Sequence, residues 1–177
     1  MIRLAARRRR RHCGAMIRPP LSLSLDSPEA TARLAARLGA LLRPGDCLLL
    51  DGPIGAGKTH FARTLIQPLL DVPEDIPSPT FTLVQTYDTS AGALWHADLY
   101  RLSAPEEVEE LGLAEAMEHE ICLIEWPEKL GPLTPPDALR ITFEPDTTDP
   151  ERRHLTLDWS TPRWAEVLTP LHETAND

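Results

Sequence analysis

Leucine and serine alternate from Leu21 to Leu25, the two-residue period of a strand with one buried face. Ser27-Pro28-Glu29 then supplies a cap, a first-turn proline and a first-turn acid, which predicts a helix start. Leu34, Leu38, Leu41 and Leu42 recur at helical spacing until Pro44-Gly45-Asp46 stops the pattern. Cys47 to Leu50 is a continuous apolar run that reads as a buried strand. A glycine-rich turn follows, and Phe61, Leu65 and Leu69 mark the apolar side of a second helix. Pro73, Pro77 and Pro79 keep the next stretch an open loop.

Further along, Phe81 to Tyr87 alternates again, and Asp88 to Gly92 turns it into Ala93 to Ala97, predicting a hairpin. Pro105-Glu106-Glu107 opens a short helix. Ile121 to Ile124 is the most apolar run of the second half and ends at Glu125-Trp126-Pro127. Leu139 to Phe143 and His154 to Leu157 predict two more strands around a polar turn, and Arg163 to Leu168 a final short helix. No internal repeat or separating linker interrupts this order. Strands interleaved with helices, plus hairpins, predict a single α/β domain with a mixed central sheet flanked by helices.

The length, 177 residues, suits one domain, and 42% hydrophobic with 25% charged residues fits a folded chain. The net charge of −9 is unevenly spread: Arg3 and Arg7 to Arg11 are six of the 18 basic residues. Past Ala15, 12 basic residues face all 27 acidic ones, a formal −15. Such a body is a poor unaided grip on a nucleic-acid backbone. Residues 1–15 read as a disordered basic leader, or as the product of an upstream start with the true one at Met16; an RNA-binding arm is the alternative. The domain proper is then 16–177. Pro19 and Pro20 interrupt any signal-peptide core, and no apolar run is long enough to cross a membrane. Cys13, Cys47 and Cys122 lack paired metal spacing, so free thiols and a reduced, cytoplasmic setting are expected.

The chemistry starts at Gly52-Pro53-Ile54-Gly55-Ala56-Gly57-Lys58-Thr59, which meets the P-loop pattern at every fixed position. It also follows a predicted strand and opens a predicted helix. Backbone N–H groups from Gly55, Ala56 and Gly57 to Thr59 would converge on phosphate oxygens at the helix start. Lys58 would add a cation on the outer phosphates and the Thr59 hydroxyl would hold magnesium. The chain has 16 Arg and only 2 Lys, so a lysine here is not compositional drift. A nucleoside triphosphate site is therefore expected. Such a site needs an acid at a neighbouring strand end, and both Asp98 and Glu125 have that setting. Thr80, in Ser78-Pro79-Thr80, is a candidate loop hydroxyl near the metal. On spacing alone, Trp126 reads as core, and His60 and His96 as packing or surface residues.

Five blocks taken in order resemble the TsaE family, also called YjeE. They are Gly52 to Thr59, Ser78 to Val84, His96 to Leu102, Glu109 to Gly112, and Ile121 to Glu128. The resemblance spans about Leu21 to Leu157, and the Ser78 to Val84, Asp98 to Leu102 and Ile124 to Glu128 segments together make it specific beyond the P-loop. It implies a small, slow P-loop ATPase using ATP and Mg2+. It further implies assistance to the TsaB–TsaD complex, which forms threonylcarbamoyladenosine beside the tRNA anticodon, with tRNA met only through those partners. By motif it assigns Lys58 and Thr59 to phosphate and magnesium, and Glu125 to magnesium. It also assigns Asp98 and Thr80 to loops sensing the γ-phosphate, Trp126 to a functional place beside Glu125, and Arg152 to a place by the nucleotide. Two positions depart from the family pattern. His60 stands where a second hydroxyl residue is usual, a place that by motif counts it with Gly52 and Gly55 to Thr59 among the nucleotide-binding positions, and Ala97 stands where an aromatic is. A small-molecule or nucleoside kinase is the runner-up, although no basic lid appears between Ala104 and Leu130. A nucleotide-dependent binding module with negligible turnover is the third reading.

Overall fold

The computed structural model describes residues 18–175. The expectations for residues 1–15 and for a start at Met16 fall outside them. Seven strands form one mixed sheet: β1 (Leu21–Leu25), β2 (Cys47–Asp51), β3 (Val84–Thr89), β4 (Gly92–Asp98), β5 (Ile121–Glu125), β6 (Leu139–Pro145) and β7 (Arg153–Asp158). Their spatial order is β1-β7-β6-β2-β5-β4-β3. The four central strands β6, β2, β5 and β4 run parallel; antiparallel partners flank them, β7 and β1 beyond β6 and β3 beyond β4. The parallel centre explains the apolar runs: Leu48 to Leu50 and Ile121 to Ile124 are buried because layers cover both faces.

On one face lie α1 (Pro28–Gly39), α2 (Lys58–Ile66) and α5 (Pro162–Ala175). Ser27 caps α1 as its sequence predicts, its Oγ accepting the Ala30 N–H at 3.2 Å. Leu34, Leu38, Phe61, Leu65, Trp164 and Leu168 pack with Leu50, Leu94 and Leu123 in one core. On the other face, α3 (Glu106–Glu110) and α4 (Leu113–His119) help form a smaller core with Leu49, Ile124 and Leu130. The two-residue period of the strands sends neighbouring side chains to the two cores.

Three elements differ from the sequence expectation. The strand expected from Phe81 begins at Val84, because Leu83 takes a left-handed conformation (φ 65°) and its N–H closes a turn onto the Pro79 carbonyl at 2.7 Å. The short helix at Glu106 is followed by α4, entered through Gly112 at φ 72°. The final helix runs to Ala175, because Trp164, Leu168 and Leu171 continue one buried stripe. The hairpin is present, with Gly92 at φ 118° starting β4 after Ser90-Ala91.

Candidate nucleotide site

β2 ends at Asp51 and α2 starts at Lys58, so residues 52–57 make the turn. Gly52 (φ 137°) passes so close to β6 that a Cβ there would stand 2.5 Å from the Phe143 carbonyl oxygen. Gly55 and Gly57 also have positive φ, 77° and 106°, which only glycine adopts without strain. The loop lines a cavity of about 330 Å³ together with Lys58, Thr59, His60, Thr80, Asp98, Tyr100, Glu125 and Trp126. Six residues named from the sequence, Lys58, Thr59, His60, Thr80, Asp98 and Glu125, are thus brought to one place.

Lys58 is buried. Its ammonium donates to the carbonyls of Gly52 and Pro53, the second at 2.9 Å. It also stands 4.0 Å over the Trp126 ring. Burial lowers the Lys58 pKa, while the carboxylates of Glu125 and Asp98 act to raise it. Trp126 is held at φ 61° just past β5, which turns its ring toward the cavity and against Tyr100, centroids 4.9 Å apart. Spacing alone assigned Trp126 to the core; its ring packs on the smaller core and also forms part of the cavity wall.

Two hydrogen-bonded acid pairs occupy the floor. The Thr59 hydroxyl donates to Glu125 Oε2 at 2.9 Å. The Thr80 hydroxyl donates to Asp98 Oδ2 at 2.8 Å, and the Tyr100 N–H donates to Oδ1 at 3.0 Å. Ser78 Oγ lies 2.7 Å from Thr80 Oγ1. The turn at Leu83 brings Thr80 into reach, because the Asp98 N–H donates to the Leu83 carbonyl at 2.9 Å. Hydroxyl and carboxylate oxygens are the hard donors that magnesium takes, so Thr59 and Glu125 could hold one beside a bound phosphate.

Three residues depart from the reading by spacing or motif. Arg152 is not brought to the cleft: it pairs with Asp26 at 2.9 Å and lies 3.9 Å from Asp146. The arginine at the loop is Arg153, whose Nε donates to the Ala56 carbonyl at 3.0 Å. Arg153 is the first residue of β7 and Arg152 lies just before it in the turn, so the point at which the chain enters the strand decides which of two adjacent arginines faces the P-loop. His96, expected as a packing or surface residue, is fully buried with Nε2 2.9 Å from Glu125 Oε1. Its signal in the sequence was the two-residue spacing to Asp98, which puts both on one face of β4. His60 lines the cavity, its Nε2 3.2 Å from the Pro28 carbonyl oxygen.

A strand, a glycine turn and a helix opening with Lys-Thr on a mostly parallel sheet define an α/β protein of the P-loop class. The family model described as "Threonylcarbamoyl adenosine biosynthesis protein TsaE" matches residues 25–155, so the chain belongs to the TsaE family. A Rickettsia felis protein named tRNA threonylcarbamoyladenosine biosynthesis protein TsaE is 44% identical over 122 residues, 69% of this chain and 71% of that one. A Bacillus subtilis protein of the same name is 35% identical over 119 residues, covering 67% and 73%. The crystal structure of Bacillus subtilis YdiB superposes with a TM-score of 0.73 at 26% identity, covering 90% of this chain and 99% of that one.

Proposed function

We infer that the chain binds ATP with Mg2+ in the P-loop cavity, hydrolyses it slowly, and so assists a TsaB–TsaD complex in forming threonylcarbamoyladenosine on tRNA. The observation that carries the ATPase reading is the Thr59–Glu125 hydrogen bond beside the P-loop. It joins the first turn of α2 to the end of β5, where a P-loop hydrolase needs a hydroxyl and an acid side by side. The pathway rests on the family and on what its named relatives are said to do.

In this reading the N–H groups of Gly55 to Thr59 bind the phosphates, and Lys58 leaves the Gly52 and Pro53 carbonyls for the outer phosphate oxygens. Magnesium, when bound, neutralises charge on the β- and γ-phosphates. Thr59 and Glu125 are the residues that would hold it. Asp98 has each oxygen engaged, one by Thr80 and the other by the Tyr100 backbone, so a shift of Thr80 toward a phosphate is transmitted to β4. Arg153 steadies the loop through the Ala56 carbonyl. The acidic body leaves tRNA to the partners. No membrane role is proposed, and among the described residues no helix is long and apolar enough to cross one.

The test is mass spectrometry of tRNA nucleosides after depletion of the protein, paired with phosphate release by the purified chain. Loss of threonylcarbamoyladenosine is expected. So is turnover of roughly 10⁻² s⁻¹ or below that rises with the partner complex. An unchanged nucleoside level would return the chain to the kinase reading. A partner that leaves turnover unchanged would favour the nucleotide-dependent binding module.

A further inference from the structure

The strongest unexplained feature beside the cavity is His96. A buried imidazole in the middle of β4 costs free energy unless its nitrogens find partners. One of them does: Nε2 lies 2.9 Å from Glu125 Oε1, and both side chains are almost wholly buried, 0% and 3% exposed. A carboxylate only accepts, so Nε2 carries the proton in this bond. The other nitrogen, Nδ1, is buried with no hydrogen-bond partner among the described residues. A packing role would be served more cheaply by leucine, which occupies Leu94 on the same face of the same strand. What the histidine adds is a donor aimed at one oxygen of Glu125. The other oxygen, Oε2, is the one that meets Thr59.

The geometry points to His96 as a positioning residue: its Nε2–H holds Glu125 Oε1, so that Oε2 stays turned to Thr59 as the oxygen offered to magnesium. This rests on the reading of Glu125 as the magnesium-side carboxylate. A carboxylate held from one side keeps its rotamer without losing freedom on each binding event, as outer partners of metal ligands do elsewhere. His96 is fully buried and is not among the residues lining the cavity, so it acts through Glu125. Strand pairing sets its place: it stands opposite Leu123 in β5, two residues before Glu125, and two before Asp98 in its own strand. The three side chains therefore share one face.

Calorimetric titration of ATP into the intact chain, across a magnesium series and in EDTA, tests this with His96→Leu, His96→Gln and Glu125→Gln. Leucine keeps bulk without a donor, and glutamine keeps an N–H at similar reach. The magnesium concentration giving half of the metal-dependent gain in ATP affinity should rise by about fivefold or more in His96→Leu. In His96→Gln it should stay within about twofold, and ATP affinity in EDTA should be unchanged in both. A midpoint in His96→Leu like that of the wild type overturns the inference. Equal impairment by leucine and glutamine, or lost affinity in EDTA, overturns it too, because packing would then explain the effect. If His96→Leu does not fold, His96→Asn carries the test: its shorter donor falls short of Glu125, so a wild-type midpoint in that variant refutes the inference. Glu125→Gln separates the two readings. If it leaves the magnesium response intact, the metal assignment fails; if it shifts the response while His96→Leu does not, only the role of His96 fails.

Discussion

Asp98 and Glu125 are register partners on the adjacent parallel strands β4 and β5. Both strands run toward the end of the sheet that carries the P-loop, and both acids are the last strand residues. The two-residue period puts Leu94, His96 and Asp98 on the face that Ile121, Leu123 and Glu125 share. Two carboxylates thus reach one cavity from neighbouring strands, each fixed by a different hydroxyl. Thr59 holds Glu125 and Thr80 holds Asp98. That division gives the two acids separable tasks: one beside the P-loop helix, the other beside the 78–83 loop.

Glu125→Gln should keep the fold, since the amide fills the same volume and its oxygen still accepts from Thr59, while His96 carries its proton on Nδ1 so that Nε2 accepts from the new NH2. Magnesium-dependent ATP binding should weaken about tenfold or more, with turnover falling alongside. Isothermal titration in magnesium and in EDTA, with a phosphate-release assay, reads both. A normal magnesium response would move the metal to Asp98.

Lys58→Ala should lower ATP affinity by roughly 10- to 100-fold, the worth of a charge-assisted hydrogen bond to phosphate. The same substitution frees the carbonyls of Gly52 and Pro53 and uncovers the Trp126 ring. Thermal stability should therefore fall only modestly. ATP binding as tight as wild type in calorimetry would sink the phosphate site.

Gly52→Ala and Gly55→Ala should differ in cost although both glycines have positive φ. At Gly55 nothing lies within 4 Å of the added Cβ, so only backbone strain of about 1–2 kcal/mol is expected. At Gly52 the Cβ would meet the Phe143 carbonyl oxygen at 2.5 Å, and β2 and β6 must separate. Urea unfolding should show the larger loss for Gly52→Ala; equal losses would mean that the ends of β2 and β6 yield freely.

Asp146, in the turn between β6 and β7, accepts from the Thr148 hydroxyl and N–H, from His154 and from the Asp149 N–H. These bonds hold its pKa well below the ordinary 3.8. The folded value lies under the unfolded one, so the stabilisation is complete above about pH 4 and lost as the pH falls below it. Asp146→Asn should melt lower than the wild type at neutral pH, with the gap closing in acid. A gap constant from pH 7 to pH 3 would show that charge is not what the turn uses.

Cys47 and Cys122 face each other across β2 and β5 and are both buried. Burial is the main cause that pushes the Cys122 thiol up to about 12 and that of Cys47 well above its usual range. Iodoacetamide followed by peptide mapping should leave both unmodified until urea unfolds the chain.

The P-loop was legible because its chemistry is local: glycines at fixed spacing, then Lys58 and Thr59, define a backbone shape and a helix start within eight residues. The core strands and the capped first helix were legible for the same reason, as periodicity and capping act over one or two turns. Asp98 and Glu125 could be named as strand-end acids. Which hydroxyl each would meet could not, because Thr59 and Glu125 are 66 residues apart and meet only when β5 is laid beside β2. Strand boundaries and register made the remaining decisions. The start of β7 at Arg153 set that residue rather than Arg152 against the Ala56 carbonyl, and the β4–β5 register pointed His96 at Glu125. A left-handed turn at Trp126 brought a ring assigned to the core to Lys58 as well. Short-range sterics and hydrophobic period are written in neighbouring residues; hydrogen bonds between side chains on different strands depend on sheet order and register, which the packed chain alone decides.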